Sequence, residues 1–263
     1  RSRQEEFLER SLEALSKSDN TLGIAPTGAG KTVLFCHLLG MLIKDNPTGK
    51  ALILAHRDEL TTQNSEKFKA INQNIPTSVV NAQNKDWSGQ AVFAMVQTLS
   101  RTNNLEELPH IDFLVIDEAH HSTAETYQSI IEKAKKRNAK IKLIGFTATP
   151  NRSDGVGLRK SFSNVADQIF ISELISSGHL VPPRTFVIDV GAQAELRNVN
   201  TVAGDFDMGA VEEIMNKQPI NEAVVEQWKQ KCAGRKTVVF CSTVEHAESV
   251  QRAFLDDGIG AEI

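Results

Sequence analysis

The sequence predicts an α/β fold built on a parallel, doubly wound sheet. Apolar segments of strand length alternate with stretches of helical periodicity through the first 170 or so residues. Two strand segments, Ala51-Leu52-Ile53-Leu54-Ala55 and Phe113-Leu114-Val115-Ile116, are continuously apolar, as strands covered on both faces require. Two polar signatures, Ala25 to Thr32 and Asp117-Glu118-Ala119-His120, follow strand segments directly, where open α/β sheets bind ligands.

Gln4 to Ser16 carries Phe7, Leu8, Leu12 and Leu15 at helical spacing. Leu22 to Ala25 is a short strand that runs into a glycine-rich loop. Lys31 to Lys44 is apolar nearly all round, which describes a helix buried on most sides. After the Ala51–Ala55 strand, Arg57 to Ile71 reads as a helix, and Thr77 to Asn81 and Ala91 to Val96 as strands. Beyond Asp117, Ser122-x-x-Glu125 has the form of a capping box, opening a helix with a core stripe of Tyr127, Ile130, Ile131 and Ala134. Lys142 to Phe146 is a further strand, ending at Thr147-Ala148-Thr149-Pro150. The texture then changes. Thr185 to Val190 reads as a strand, residues 191–209 are polar and poorly patterned, and Ile220 to Trp228 is helical. Thr237 to Cys241 reads as a strand, and Ser242-x-x-Glu245 as a second capping box before a helix through Val250 and Phe254 that ends near Gly258. One strand–helix unit cannot bury both its faces, so the expectation is a piece of a longer protein.

Composition bounds the partners. At 40% hydrophobic and 24% charged, the chain has enough apolar material for a real core. Its net charge of −4 excludes attachment to nucleic acid by bulk charge, so any such contact is local. Cys36, Cys232 and Cys241 have no paired spacing; Cys36 and Cys241 lie in apolar runs and read as small buried hydrophobes, in keeping with a reducing cytoplasm. No apolar run reaches membrane-spanning length, so no membrane partner is expected.

The glycine-rich loop has the chemistry of a phosphate cradle. Gly28 and Gly30 let backbone N–H groups turn inward, and the following helix adds its positive end. In such a loop Lys31 bridges β- and γ-phosphates and Thr32 holds Mg²⁺. The pattern G-x-x-x-x-G-K-[ST] is met except at its first position, which is Ala25. Asp117 is suited to the Mg²⁺ shell and Glu118 to orienting and deprotonating a water. Together the two motifs point to binding and hydrolysis of a nucleoside triphosphate.

Asp117-Glu118-Ala119-His120 resembles the name-giving motif of superfamily-two DEAD/DEAH-type helicases, whose motor domains have a RecA-like P-loop fold. Ala25 to Thr32 resembles motif I of that group, and Thr147-Ala148-Thr149-Pro150, with the run on through Gly155, motif III. His56-Arg57-Asp58-Glu59-Leu60 is similar to motif Ia, Val96-Gln97-Thr98-Leu99 to motif Ic, and Val238 to Ser242 to motif IV, which begins the second RecA-like domain. Arg3-Gln4 stands where an adenine-reading glutamine is found, without the usual aromatic residue between them. Ile175 to Pro183 and Thr243 to Ala247 look most like the RadD-like DNA repair branch.

The resemblance implies ATP and Mg²⁺ as cofactors, with Arg3, Gln4, Pro26, Thr27, Gly28, Ala29, Gly30, Lys31 and Thr32 around the nucleotide. It implies catalysis by Lys31, Asp117, Glu118 and His120, coupling through Thr147 and Thr149, and nucleic-acid contacts from Arg57, Gln97 and Thr98. His121 reads as a surface residue, and the cluster Arg152, Arg159 and Lys160 fits a solvated loop as well as it fits a nucleic-acid contact. The domains implied are 1–170, a first RecA-like domain; 171–234, a connector; and 235–263, the start of a second. Motifs V and VI find no match, which implies slow hydrolysis by the isolated chain. The activity implied is an ATP-dependent helicase or translocase on nucleic acid, DNA before RNA. The alternatives are a double-strand translocase that never separates strands, an ATP-gated nucleic-acid binding module, and a P-loop ATPase unrelated to nucleic acid.

Overall fold

The computed structural model describes residues 2–150, 158–202 and 205–263. The chain divides into two compact units, Arg1–Pro182 and Pro183–Ile263. The first contains, in order, α1 (Ser2–Lys17), β1 (Asn20–Ile24), α2 (Lys31–Asp45), β2 (Ala51–Ala55), α3 (Asp58–Ile71), β3 (Thr77–Val80) and β4 (Ala91–Met95). It continues with α4 (Val96–Leu99), α5 (Thr102–Glu106), β5 (Phe113–Asp117), α6 (Glu125–Arg137), β6 (Lys142–Thr147), β7 (Val165–Gln168) and α7 (Ile171–Ser176).

The seven strands form one sheet in the order β3-β4-β2-β5-β6-β1-β7, and every pairing is parallel. The predicted doubly wound α/β architecture is therefore the observed one. Strand side chains alternate between two cores. Leu52, Leu54, Leu114 and Ile116 pack on one face with Val96, Tyr127, Ile130 and Ile131. Ile53, Phe113, Val115 and Phe146 pack on the other with Phe7, Leu34, Phe35 and Phe68. Helices cover both faces, which is why β2 and β5 are buried at every position. Cys36 lies in the second core, where burial pushes its thiol up to about 12.

Register brings the strand ends level. Asp117 pairs with Phe146 across β5 and β6, and Ile24 with Thr147 across β1 and β6. Ala55 pairs with Met95 across β2 and β4. The loops after β1, β2, β4, β5 and β6 thus leave along one edge of the sheet.

Several local expectations are corrected. Ser122 does not cap α6: Ala124 is the N-cap, no side chain accepts from the first turn, and the buried Ser122 hydroxyl instead donates to Ser161 Oγ at 3.1 Å. β7 and α7 lie in a stretch with no strand or helix expectation, and Val96 is the first residue of α4 rather than the last of β4.

The second unit contains α8 (Gln193–Leu196), the two-residue strands β8 (Thr201–Val202) and β9 (Asp205–Phe206), α9 (Met208–Met215), α10 (Gln218–Cys232) and α11 (Val244–Asp256). Its core is Val225, Val250 and Phe254, with Trp228 edge-on to Phe254 at 5.6 Å. The poorly patterned stretch 191–209 thus contains the short elements α8, β8 and β9 and the start of α9. The N-cap of α11 is Thr243, which accepts from the His246 N–H at 3.1 Å, so the cap lies one residue beyond Ser242. Neither Thr185–Val190 nor Thr237–Cys241 forms a strand. A strand exists through its ladder, and among the described residues neither segment pairs with another. Val187 and Phe240 are accordingly 89% and 94% exposed, and Cys241 is half-buried rather than in a core.

Candidate functional site

The loop after β1 is held at both ends. The Ala25 N–H donates to the Thr147 carbonyl at 2.9 Å, and the Ala29 N–H to the Pro26 carbonyl at 3.0 Å. Gly28 and Gly30 have φ of +89° and +83°. A side chain in that left-handed region costs roughly 1–2 kcal/mol, and a Cβ on Gly30 would lie 2.8 Å from Gln4 Nε2. Gly30 caps α2 without a side chain, so the first-turn N–H groups have no capping acceptor. Lys31 and Thr32 open α2; Thr27 and Gly28 are exposed at the tip, and Pro26 and Ala29 are buried.

Asp117 ends β5 at 4% exposure. Its Oδ2 accepts from Asn64 Nδ2 at 3.0 Å, its Oδ1 accepts from the Glu118 N–H at 3.0 Å, and Lys31 Nζ lies 3.5 Å from Oδ1. Lys31 also pairs with Glu118 Oε1. Glu118 has φ 54° and is the single non-glycine residue with positive φ among the described residues. Strain of this kind, of order 1–3 kcal/mol, persists where the surroundings enforce it and clusters at functional sites. His120 Nδ1 lies 3.4 Å from Glu118 Oε2 and 3.1 Å from Thr147 Oγ1. The Thr147 hydroxyl donates to the Thr149 carbonyl at 3.2 Å and accepts from the Thr149 N–H at 3.1 Å. Loop, acid pair and β6 end therefore form one polar cleft.

The donor set suits a divalent cation brought in with phosphates. Two adjacent carboxylates face one lysine, and oxygen ligands are the chemistry of Mg²⁺. Among the described residues no group of three or more His, Cys, Asp or Glu could hold a metal alone. Mg²⁺ is typically bound by one or two carboxylates, with phosphates and water completing its shell.

Gln4 Nε2 donates to the Ala29 carbonyl at 2.9 Å, so it touches the loop. Arg3 is engaged elsewhere. It donates to Glu173 Oε2 at 2.9 Å, to the Gln168 carbonyl at 2.9 Å, and to both Asp167 oxygens. Arg10 adds a bond to Asp167 Oδ1 at 3.0 Å. Burial alone would raise the Asp167 carboxyl; the Arg3 hydrogen bond, the Gln168 N–H and Arg10 outweigh it and hold the group below the ordinary value. The same Asp167 hydrogen bond is the largest influence raising the Arg3 guanidinium, against the opposing effect of burial.

Arg57 is exposed just beyond β2 and Gln97 is exposed in α4, which follows β4, whereas Thr98 is buried at 5% exposure and its carbonyl accepts from Asn104 Nδ2 at 2.7 Å. Arg159 is exposed, and Arg152 and the run Asn151 to Gly155 lie outside the described residues. His121 is half-buried, and its ring lies 4.1 Å from that of His120, 4.8 Å from that of His56 and 6.3 Å from that of Tyr127. Sequence reasoning missed Asn64, whose signal is a polar residue on the buried stripe Thr61, Asn64, Ser65 and Phe68 of α3. It also missed Leu180, whose Cδ2 would lie 2.8 Å from a Cβ on Gly28.

Residues 1–152 match the family model described as "Type III restriction enzyme, res subunit". The chain belongs to that family. Among curated relatives, it is 29% identical over 279 residues to the candidate ATP-dependent helicase IRC3 of Saccharomyces cerevisiae, covering 98% of this chain and 39% of that protein. It is 30% identical over 272 residues to its candidate mitochondrial counterpart irc3 of Schizosaccharomyces pombe, covering 98% of this chain and 43% of that protein. The chain thus spans about two fifths of the length of these family relatives. Among solved structures, the ATP-dependent Type ISP restriction-modification enzyme LlaBIII bound to DNA superposes with a TM-score of 0.66 at 18% identity, over 96% of this chain and 21% of that one. The Pyrococcus furiosus Hef helicase domain gives 0.55 at 15% identity, over 94% of this chain and 52% of that one. These likenesses show a RecA-like α/β fold. Among the described residues, no helix is long and apolar enough to cross a membrane.

Proposed function

We propose that this chain is the nucleotide-binding part of an ATP-dependent helicase or translocase acting on DNA, in repair or recombination. The observation that carries the reading is the meeting of Lys31 with Asp117 and Glu118, two motifs 87 positions apart at their contact, in one cleft at the carboxyl edge of the sheet. Within superfamily two we assign the chain to the RadD-like branch, on the residues of 175–183 and 243–247. We take 1–170 as the first motor domain, 171–234 as a connector and 235–263 as the start of the second.

In this reading the loop N–H groups from Thr27 to Gly30 and the N-terminus of α2 grip the triphosphate, with Lys31 released from Glu118 onto the β- and γ-phosphates. Gln4 borders the base, next to Arg3, whose guanidinium is held by Asp167 and Glu173. Thr32 and Asp117 would hold Mg²⁺, and the chemistry it would supply is positive charge to offset the charge of the phosphate oxygens. Glu118 takes a proton from the water that attacks the γ-phosphorus as the β–γ bridging bond breaks, leaving ADP and phosphate. His120 passes the change to Thr147 at the end of β6 and to Thr149 beyond it. Arg57, Gln97 and Thr98 form a stretch of the DNA track, with Arg57 and Gln97 as its exposed members and phosphates rather than base edges as their target. A reducing compartment such as the cytoplasm suits the three free cysteines.

The test is ATP turnover by the full-length protein with single-stranded DNA, duplex DNA and RNA, alongside a strand-displacement assay. Stimulation by DNA above RNA is expected. Turnover indifferent to every nucleic acid would overturn the reading.

A further inference from the structure

We infer that His56 and His121 are positioning residues: with His120 they form a bridge of three rings that couples the loop after β2 to the acid pair. The inference deepens the motor reading above and rests on it. His56 is the first residue beyond β2 and the neighbour of Arg57. Its Nδ1 is buried and has no hydrogen-bond partner. A buried ring nitrogen without a partner is unfavourable, so this nitrogen does not hold the ring in place. What the ring meets is His121, at 4.8 Å between centroids and a tilt of 50°. His121 meets His120 at 4.1 Å and 48°, and is backed by the Tyr127 ring of α6 at 6.3 Å and 21°. His120 then reaches Glu118 Oε2 and Thr147 Oγ1. Contact is continuous from the residue beside Arg57 to the carboxylate beside Lys31.

A second tie runs in parallel. Arg57 is the N-cap of α3, and Asn64 of that helix donates to Asp117 Oδ2. The loop after β2 and the helix that follows are therefore fastened to both carboxylates, to Asp117 through Asn64 and to Glu118 through the rings. A metal site is not the reason for the histidines, because no such cluster among the described residues could hold one. Interdigitated rings have few alternative packings, so a shift of the backbone at Arg57 is passed on rather than absorbed. When DNA loads the loop, the bridge carries that displacement to His120 and Glu118, and a bound nucleotide biases the loop by the same route.

Spatial continuity alone does not establish coupling, so the test measures the coupling itself. Affinity of the full-length protein for labelled single-stranded DNA is read with and without a non-hydrolysable ATP analogue. The ratio of the two affinities is the coupling. In His56→Leu the ratio is expected to move toward one by about five-fold or more, the lower end of usual site-to-site coupling, while affinity for the analogue without DNA is unchanged. His121→Ala should do the same, His121→Phe should keep the wild-type ratio, and the double variant His56→Leu/His121→Ala should lose no more than either single change. A purely structural role would lower both affinities together and leave their ratio alone. Wild-type ratios in both His56→Leu and His121→Ala would overturn the inference. Should His56→Leu fail to fold, the His121→Ala and His121→Phe pair decides. A wild-type ratio of one, with turnover indifferent to nucleic acid, overturns the motor reading and this inference with it.

Discussion

Replacing Asn64 by alanine removes a donor from a carboxylate that has almost no water to replace it. Asp117 is 4% exposed, and its partners are Asn64 Nδ2 at 3.0 Å, the Glu118 N–H at 3.0 Å and Lys31 Nζ at 3.5 Å. A hydrogen bond to a charged group contributes about 1.5–3 kcal/mol, and loss of an outer partner of a metal ligand typically weakens the site 10–100-fold. Two partners of Asp117 survive the change, so the lower half of that range applies, about 10–30-fold. The assay is ATP turnover by the full-length protein against Mg²⁺ concentration at saturating ATP. The half-saturating Mg²⁺ concentration should rise by that factor, with a smaller fall in the plateau rate. Thermal unfolding of the same variant separates a lost fold from a mis-set ligand. An unchanged Mg²⁺ profile in a folded Asn64→Ala protein would refute the role of Asn64.

The Arg3–Asp167–Arg10 cluster predicts an acid limb of stability. Asp167 titrates below its unfolded value of about 3.9, so its contribution is complete above that pH and is lost as pH falls toward the depressed folded value. Asp167→Asn should lower stability by about 1–3 kcal/mol at pH 7, and the gap from wild type, followed by urea denaturation, should close below about pH 4. Gly30→Ala should weaken nucleotide binding about ten-fold, measured by calorimetry, because the residue sits at φ +83°, where a side chain costs about 1–2 kcal/mol. Thr147→Val removes the hydroxyl shared by His120 and Thr149; ATP affinity should survive while DNA-stimulated turnover falls about ten-fold, the equivalent of one hydrogen bond.

The sheet was legible where strands are buried on both faces, since Ala51–Ala55 and Phe113–Ile116 have no other use for five or four apolar residues in a row. β7 was hidden for the opposite reason. Its Asp167 is a buried charge whose compensating Arg3 stands 164 residues earlier, and no local pattern announces that pairing. Strand propensity alone misled at Thr185–Val190 and Thr237–Cys241, where apolar residues have no ladder partner among the described residues. Both capping boxes were right in spacing and wrong in use. Ser122 was drawn into a buried bond with Ser161, and Thr243 displaced Ser242 as the cap. The polar cleft was legible through Lys31, Asp117 and Glu118 because phosphate and metal chemistry restricts residue type and order. Asn64 and His56 were not, since supporting roles depend on which helix face turns toward a neighbour in three dimensions.

Mg·ATP binding measured beside turnover in three full-length proteins tests the central claim most directly: wild type, Lys31→Ala and Glu118→Gln. A shared site predicts that Lys31→Ala loses both binding and hydrolysis, and that Glu118→Gln binds Mg·ATP at least as tightly as wild type yet does not turn it over. Wild-type hydrolysis by either variant would mean that the lysine and the acid pair do not serve one nucleotide.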